Sequence, residues 1–354
     1  MIEIEKYLNN HLVESLPFVL YAKPNSDAIV GYFQQDYQVY QTNDYLDKGF
    51  VFAPFDGDEN IFFPLENCEI VVDNLNDLEV DFGVFQDQIP NEDTKNFHIN
   101  LVEKGIAAIQ TGQLIKVVLS RKETINLPII DFMLMYKRLL KAYPTAFRYL
   151  FFHPQVGFWM GATPEQLLKQ KQQTIYTVAL AGTQVKSSLE EVVWEEKEKD
   201  EQKIVTDFIL TNLAPYTQQI KSTQPYTVQA GSLFHIKTDI EATLNQPEDF
   251  VAVLKALHPT PALCGMPKQE AKEFIIQNED YDREFYSGFL GELHYNAQTK
   301  TFQESDLFVN LRCMQLGFNQ VHLYLGGGIT ANSHPESEFL ETVNKSKTIK
   351  KVLA

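Results

Sequence analysis

Glu201 is a carboxylate at a position where the local pattern calls for an apolar side chain. Ile204, Val205 and Phe208 follow it at i+3, i+4 and i+7, which puts Glu201 on the apolar face of a predicted helix. A carboxylate on such a face has to be paired with a cation or has to coordinate a metal ion. The charged run just before it also fits a solvated helix surface, so the pattern alone leaves both interpretations open.

A second acidic group lies near the carboxyl end of the chain. Glu338, Glu341 and Lys345 fall at i, i+3 and i+7, so they share one face of a helix predicted to begin near Pro335. Two carboxylates on one face suit Mg²⁺, a hard cation that binds few carboxylates and keeps several waters. A stripe of surface charge would produce the same spacing.

Lys116 is a candidate base. It lies near the start of the apolar strand predicted at 114–120, and period-two alternation puts it on the same face as Val118 and Ser120. If the side chain is buried, desolvation lowers its pKa and it can act as a neutral base. A solvated charge at a strand edge is the alternative.

Glu165 is a candidate acid. Thr163, Pro164 and Gln166 fit an N-cap, a first helical residue and the end of a capping box, which predicts that Glu165 lies in the first turn of a helix. There it would simply complement the helix dipole. The dipole lowers a carboxyl pKa whereas a proton donor needs a raised one, so burial or neighbouring carboxylates would have to prevail.

Glycines and an arginine complete the candidate chemistry. The strand predicted at 321–325 runs into three glycines at 326–328, which would let the backbone approach a ligand closely or would form a plain turn. A helix start follows, with Ser333 and Glu336 as its capping box. Arg312 lies within the strand predicted at 307–314, where it could capture a carboxylate or form an internal salt bridge.

The charge balance limits the classes of ligand. The 354 residues include 30 basic and 47 acidic side chains, a formal net charge of −17 at pH 7. This excludes a general binder of nucleic acid or of an anionic membrane, but a small anion could still bind where a metal or local cations reverse the field. The chain shows no secretory signal and no membrane-spanning apolar run, and its three distant cysteines fit buried thiols in the cytoplasm.

Helices and strands occur in mixed order, which favours an α+β fold over a regular parallel sheet. Residues 1–95 carry short strands without a chemical cluster, and residues 96–354 carry all the candidates named above. No long linker separates the two parts, so one structural domain is expected. The predicted strands lie at 50–53, 61–63, 69–72, 114–120, 147–152, 176–181, 307–314 and 321–325, and the predicted helices lie at 98–110, 131–142, 189–213 and from about 335.

Taken together and in their order along the chain, the sequence motifs resemble those of the chorismate-utilising enzymes, and among these the isochorismate synthases. The resemblance covers residues 95–354, while the N-terminal part matches only loosely. It is carried by Lys116-Val-Val-Leu-Ser-Arg121, Gly161-Ala-Thr-Pro-Glu165, Ala179-Leu-Ala-Gly-Thr183, His258-Pro-Thr-Pro-Ala-Leu263, Tyr281-Asp-Arg-Glu284, Gly326-Gly-Gly-Ile329 and the stretch from Glu338 to Lys345.

The resemblance implies a single α+β unit, with two large antiparallel sheets packed face to face and helices outside. It implies that chorismate, which carries two carboxylates, binds with Mg²⁺ in a deep cleft. By the same resemblance Glu201 and Glu341 look like metal ligands, and Glu338 would hold a metal-bound water. The metal would bind the ring carboxylate and act as a Lewis acid and orienting template.

The resemblance also implies roles around the substrate ring. Lys116 looks like the general base that activates water for attack at C2, and Glu165 like the general acid that protonates the departing C4 hydroxyl. We expect both to be neutral in the working state. Gly182 and Thr183 would line the site of the ring carboxylate, and His235 would lie beside the ring.

At the other end of the substrate, the implied residues surround the pyruvyl carboxylate. Arg312, the Gly326 backbone and Lys345 would hold this group or its surroundings, with Tyr286 alongside. Together with the metal they would supply the local positive charge that a dianion needs on a protein of net charge −17.

Three positions bear on which member of the family the chain resembles. Ammonia-using relatives, which make anthranilate or aminodeoxychorismate, usually carry Gln at Lys116, and the aminodeoxychorismate type tends to carry Lys at Ala181. Salicylate synthases share the lysine but tend to place Thr at Ala262, so they are the nearer alternative. Two departures are that Thr163 replaces a commoner Ser and that residues 197–200 lack the usual Arg and His.

A non-catalytic chorismate-fold binding protein is the alternative from another class, and it predicts the loss of a base, acid or metal ligand. The sequence leaves open whether the product would serve menaquinone or siderophore biosynthesis. We expect a cytoplasmic monomer whose partner is the small molecule chorismate, with no nucleic-acid or membrane partner.

Overall fold

The computed structural model describes residues 1–75, 78–85, 91–185, 188–230 and 233–353. Its α-helices are α1 Ile2–Glu14, α2 Glu92–Gln110, α3 Phe132–Ala142, α4 Glu196–Leu213, α5 Asp249–Leu257, α6 Lys268–Asn278 and α7 Pro335–Lys350. Its strands are β1 Phe18–Ala22, β2 Ala28–Gln34, β3 Gly49–Ala53, β4 Ile61–Pro64, β5 Cys68–Asn74, β6 Lys116–Asn126, β7 Phe147–His153, β8 Gly157–Thr163, β9 Gln166–Lys171, β10 Thr174–Val185, β11 Thr217–Ser222, β12 Tyr226–Ala230, β13 Leu233–Leu244, β14 Gly265–Met266, β15 Phe289–Leu293, β16 Tyr295–Asn296, β17 Thr301–Phe302, β18 Glu304–Val309, β19 Cys313–Leu316 and β20 Gln320–Ile329.

Two large antiparallel sheets form the framework. Within the described ranges, the first sheet has the strand order β14-β6-β20-β19-β8-β7-β1-β2-β5. The second has the order β11-β13-β10-β9-β18-β15-β3-β4, and β12 pairs with β13. Strands from the N-terminal part therefore belong to both sheets, and they extend each sheet away from the strands that carry the candidate residues.

A layer of aromatic side chains joins the two sheets. Phe52 of β3 in the second sheet lies with its ring centroid 4.5 Å from that of Phe151 in β7 of the first sheet. Between the same sheets, Phe147 of β7 stacks on Phe308 of β18 at 4.4 Å. Rings of this size bury much apolar area and interlock by offset or edge contacts, so this layer keeps the sheets face to face.

The helices cover the outer faces. Apolar residues of α1 and α3 pack with the first sheet, and those of α4 and α5 pack with the second sheet. A further cluster joins α2 and α6 to β6. This arrangement confirms the predicted α+β sandwich. In the described part of the chain, no helix has both the length and the apolar character needed to cross a membrane.

Two predicted elements are wrong, and both errors concern places where the chain passes from one sheet to the other. No helix begins at Pro164, because β8 of the first sheet ends at Thr163 and β9 of the second begins at Gln166. The strand predicted at 307–314 is likewise divided, since β18 lies in the second sheet and β19 in the first.

Other predictions differ from the structure in their boundaries or caps. The glycines 326–328 do not follow a strand but lie inside β20, paired with residues 118–120 of β6. The helix predicted at 189–213 begins only at Glu196, where a reciprocal capping box forms between Glu195 and Glu198. The predicted cap at Ser333 is also absent, because its Oγ accepts a hydrogen bond from the Thr330 N–H instead.

Candidate active site

One cavity gathers twelve of the thirteen residues singled out as catalytic, metal-binding or substrate-binding. The thirteenth, Thr183, lies in β10, but its side chain is outside the described part of the structure. The twelve that line the cavity are Lys116, Glu165, Gly182, Glu201, His235, Ala262, Tyr286, Arg312, Gly326, Glu338, Glu341 and Lys345.

The glycines of β20 form one wall of this cavity. A Cβ at Gly328 would lie 3.0 Å from Glu201 Oε1 and 3.0 Å from Lys116 Cε, and one at Gly326 would lie 2.6 Å from the Tyr286 hydroxyl. The glycines are therefore needed for close approach within a strand rather than for a turn.

Two pairs of glutamates face the cavity from two helices. Glu198 and Glu201 lie on α4, and Glu338 and Glu341 lie on α7, each pair at the i, i+3 spacing that shares a helix face. Glu198 was not among the residues predicted to be functional from the sequence. The available signal was its position one turn before Glu201, because residues three apart share a helix face and Glu201 was predicted to lie on the apolar face.

Two lysines neutralise part of this acidic group. Lys116, which is buried, places its Nζ 2.6 Å from Glu201 Oε1. Lys345 places its Nζ 2.6 Å from Glu341 Oε1, and it also donates a hydrogen bond to the Gly326 carbonyl at 2.9 Å. Each lysine therefore holds one of the glutamates that the sequence singled out as a metal ligand.

The donor set is chemically suited to magnesium, although its present arrangement is not a coordination shell. Within the described ranges, histidine, cysteine, aspartate and glutamate side chains form no group of three that could hold a metal ion as they stand. The carboxylates that converge on the cavity are nevertheless the hard oxygen ligands that Mg²⁺ prefers. In the structure, Glu201 and Glu341 are each paired with a lysine ammonium instead.

Glu165 lies where the chain crosses from the first sheet to the second. Its backbone carbonyl accepts a hydrogen bond from the Val309 N–H at 3.0 Å, which ties this crossing to the neighbouring one that carries Arg312. Burial raises the pKa of the Glu165 carboxyl to about 7, and the charges of Lys116 and Arg312 oppose that rise. Without a helix here, the predicted conflict with a helix dipole disappears.

Arg312 lies in the second crossing, in the left-handed region at φ 49° rather than within a strand. Its carbonyl accepts from the Ala162 N–H at 3.1 Å, next to the crossing of Glu165. Burial lowers the pKa of the guanidinium from its ordinary value, and the charge of Glu341 is among the causes that oppose this. The acid and the arginine thus reach the cavity from two adjacent passages between the sheets.

His235 lies on β13 at the wall that β10 and β13 form. Its Nδ1 is 2.9 Å from the Gly182 carbonyl, which can only accept, so Nδ1 carries the proton and donates. Burial lowers the pKa of His235 to about 4, so the ring is neutral near pH 7. Gly182 adopts a left-handed conformation at φ 69°, and a Cβ there would lie 3.2 Å from Glu198 Cβ.

Two aromatic rings form another wall. Tyr286 and Tyr324 both line the cavity, and their rings stack with centroids 5.5 Å apart and an interplanar angle of 18°. Tyr324 stacks in turn on Trp159 of the aromatic layer at 5.1 Å. Tyr324 was not predicted from the sequence, because an aromatic residue two positions before the glycines is typical of the buried core of a strand.

Comparison with known proteins assigns the chain to a family. The family model of chorismate binding enzymes matches residues 76–354, which is most of the chain. The chain belongs to this family. The match confirms the resemblance that the motifs carry.

Curated relatives and solved structures agree with the assignment. The isochorismate synthases MenF and EntC of Escherichia coli strain K12 are 30% and 29% identical over 72% and 70% of this chain. The matches cover 59% of MenF and 65% of EntC, so the chain spans less than two-thirds of either relative.

The solved structures concern the fold. That of menaquinone-specific MenF from Escherichia coli covers 96% of this chain and 89% of its own, with a TM-score of 0.80 at 21% identity. Anthranilate synthase component I from Streptococcus pneumoniae covers 94% and 92%, with a TM-score of 0.70 at 19% identity. Both likenesses confirm the predicted fold.

The burial of Glu165 predicts a pH-dependent stability difference between the wild type and the Glu165→Gln variant. Between pH 4.5 and 7 the carboxyl ionises in the unfolded chain but stays protonated in the folded chain, so this group contributes stability at low pH that is lost as pH rises. Glutamine stays neutral throughout. We therefore expect urea unfolding to show the variant gaining up to about 3 kcal/mol relative to wild type between pH 5 and pH 8.

The same measurement on Glu190→Gln is the control, because Glu190 is exposed. A stability difference between Glu165→Gln and wild type that does not change with pH would contradict the raised pKa.

Proposed function

We propose that this chain is an isochorismate synthase, which converts chorismate to isochorismate by adding water at C2 and expelling the C4 hydroxyl. The observation that carries the proposal is that Lys116 and Glu165, both buried, line one cavity, and that Glu165 has a pKa near neutrality. Relatives named isochorismate synthase support the same reaction.

The two residues divide the proton transfers. Lys116 takes a proton from the water that attacks C2, for which its ammonium must first leave the ion pair with Glu201 and lose a proton. Both double bonds of the ring diene shift, from C1=C2 to C1=C6 and from C5=C6 to C4=C5, and Glu165 gives its proton to the departing C4 hydroxyl. A carboxyl with a pKa of about 7 is well matched to this task, because about half of it is protonated at neutral pH and it readily gives up the proton.

We further propose that Mg²⁺ is the cofactor, held by Glu201 and Glu341 with Glu338 reaching it through water. When bound, the metal would polarise and orient the ring carboxylate of the substrate. The support is the convergence of glutamates from α4 and α7 on the cavity and their oxygen-donor chemistry.

Two further cationic groups in the cavity fit the pyruvyl carboxylate. Arg312 offers a planar fork of donors that suits bidentate capture of a carboxylate. Lys345, whose ammonium already lies at the Gly326 carbonyl, adds a second charge. Tyr286 adds a hydroxyl next to the same backbone, so a carboxylate placed here would meet three donors.

A salicylate synthase is the second candidate, because it would use the same base and acid before eliminating pyruvate. Ala262 in the cavity wall favours the simpler reaction by the family pattern stated above. An inactive chorismate-binding protein fits less well, because the base, the acid and the carboxylates all line the cavity.

Product analysis separates these candidates. Incubated with chorismate and Mg²⁺, with and without ammonium, the protein should form isochorismate alone, as identified by chromatography and mass spectrometry. Salicylate with pyruvate would instead establish the lyase, and anthranilate would establish the ammonia-using type. Chorismate recovered unchanged would refute the proposed function.

Replacement of Lys116 by alanine should lower kcat by at least about a hundredfold, because a general base is removed from the attacking water. Binding of chorismate, measured by titration calorimetry, should persist. Lys122→Ala is the matched control, since Lys122 lies on the same strand with an exposed side chain. If Lys116→Ala turned over chorismate as fast as Lys122→Ala does, Lys116 could not be the base.

A further inference from the structure

Arg283 does not line the cavity, yet its guanidinium contacts three segments that do. Its Nη2 donates a hydrogen bond to the Val118 carbonyl in β6 at 2.7 Å, and its Nη1 donates to the Leu263 carbonyl at 3.2 Å. The same group lies over the Tyr286 ring, 5.6 Å from the centroid. Val118, Leu263 and Tyr286 are all part of the cavity wall.

A buried carboxylate holds the guanidinium in this position. Nε and Nη2 of Arg283 donate to the two oxygens of Glu279 at 2.8 and 2.6 Å. The two side chains are 2% and 1% exposed, so the pair is almost fully removed from water. Such a bidentate pair fixes both the distance and the plane of the guanidinium.

Glu279 extends the contact along the strand that carries Lys116. Its Oε1 accepts from both the N–H and the hydroxyl of Ser120 at 2.8 Å, and the Ser120 hydroxyl lies 2.7 Å from that of Tyr281. Arg283 and Glu279 therefore bind β6 at two points, Val118 and Ser120, two and four residues beyond Lys116.

The orientation of Tyr286 depends on the same group. Arg283 lies over its ring, Tyr324 stacks on it at 5.5 Å, and its hydroxyl lies against the backbone of Gly326. A cation over an aromatic face is attracted more strongly where water is excluded. Loss of the guanidinium would therefore free the ring as well as the strand.

We propose that Arg283 is the positioning residue of this site. It fixes the positions of Lys116, Leu263 and Tyr286 relative to one another without touching the substrate. This rests on the proposed function, since its effect would appear as misplacement of the base and of the substrate wall. Lysine cannot replace arginine here, because an ammonium lacks the planar fork that reaches Glu279 and two carbonyls at once.

Arg283→Lys tests the proposal against Arg148→Lys. Arg148 is also buried, in β7, and donates to the carbonyls of Lys23, Ser26, Leu140 and Ala146, none of which lines the cavity. At a temperature where both variants are folded, Arg283→Lys should lower kcat and raise KM for chorismate, so that kcat/KM falls by about tenfold or more. Arg148→Lys should keep both constants within about twofold of wild type.

Hydrogen exchange supplies a measurement that does not depend on the reaction. In Arg283→Lys, amide exchange should rise together in the segments 117–120, 262–265 and 285–288, and it should rise in none of them in Arg148→Lys. Ser120→Ala, a milder change that keeps the ion pair, should raise exchange in 117–120 alone.

The outcomes separate the two proposals. Unchanged exchange in these segments, or a fall in thermal stability with kcat and KM kept, would overturn the role of Arg283. A wild-type protein that leaves chorismate unchanged would refute the proposed function instead, while a joint rise in exchange would still support Arg283 as the group that holds the three walls together.

Discussion

The close approach of polar and charged side chains to the three glycines of β20 is the constraint on which the cavity depends. At β20 the Tyr286 hydroxyl lies against Gly326, the carboxylates of Glu338 and Glu341 lie near Gly327, and Glu201 with Lys116 lies near Gly328. A Cβ at Gly328 would lie only 3.0 Å from Glu201 Oε1. Side chains here would therefore separate the groups that the proposed chemistry needs together.

The two sheets supply the second requirement, which is to bury an acid and a base in one cavity without letting them neutralise each other. Lys116 comes from a strand of the first sheet and is paired with Glu201 of α4. Glu165 comes from a crossing between the sheets, where desolvation raises its pKa more than the nearby cations lower it. The carboxyl can thus stay protonated in a cavity that also holds Lys116 and Arg312.

Periodicity predicted the elements that lie wholly in one sheet or helix. It placed Lys116 on one strand face with Val118 and Ser120, and Glu201 on the apolar face of its helix, because each pattern repeats over several residues. The resemblance then assigned the roles that spacing alone left open.

The errors came from segments that change sheet and from contacts between distant parts of the chain. Thr163 to Gln166 satisfies the local rules for a helix start, but the Glu165 carbonyl pairs with the Val309 N–H, a contact between residues far apart in sequence. Arg312 reads as a strand residue, although its left-handed backbone turns the chain between the sheets. Arg283 was visible in a motif, but only the fold brings its three partners to it.

In the proposed reaction, a water activated in this cavity becomes the new hydroxyl at C2 while the C4 oxygen departs. Turnover of unlabelled chorismate in ¹⁸O-enriched water, stopped early, tests it most directly. Mass spectrometry of the isochorismate should show one ¹⁸O, carried at C2. Isochorismate without the label would mean that the C4 oxygen had moved within the substrate, and would contradict the account.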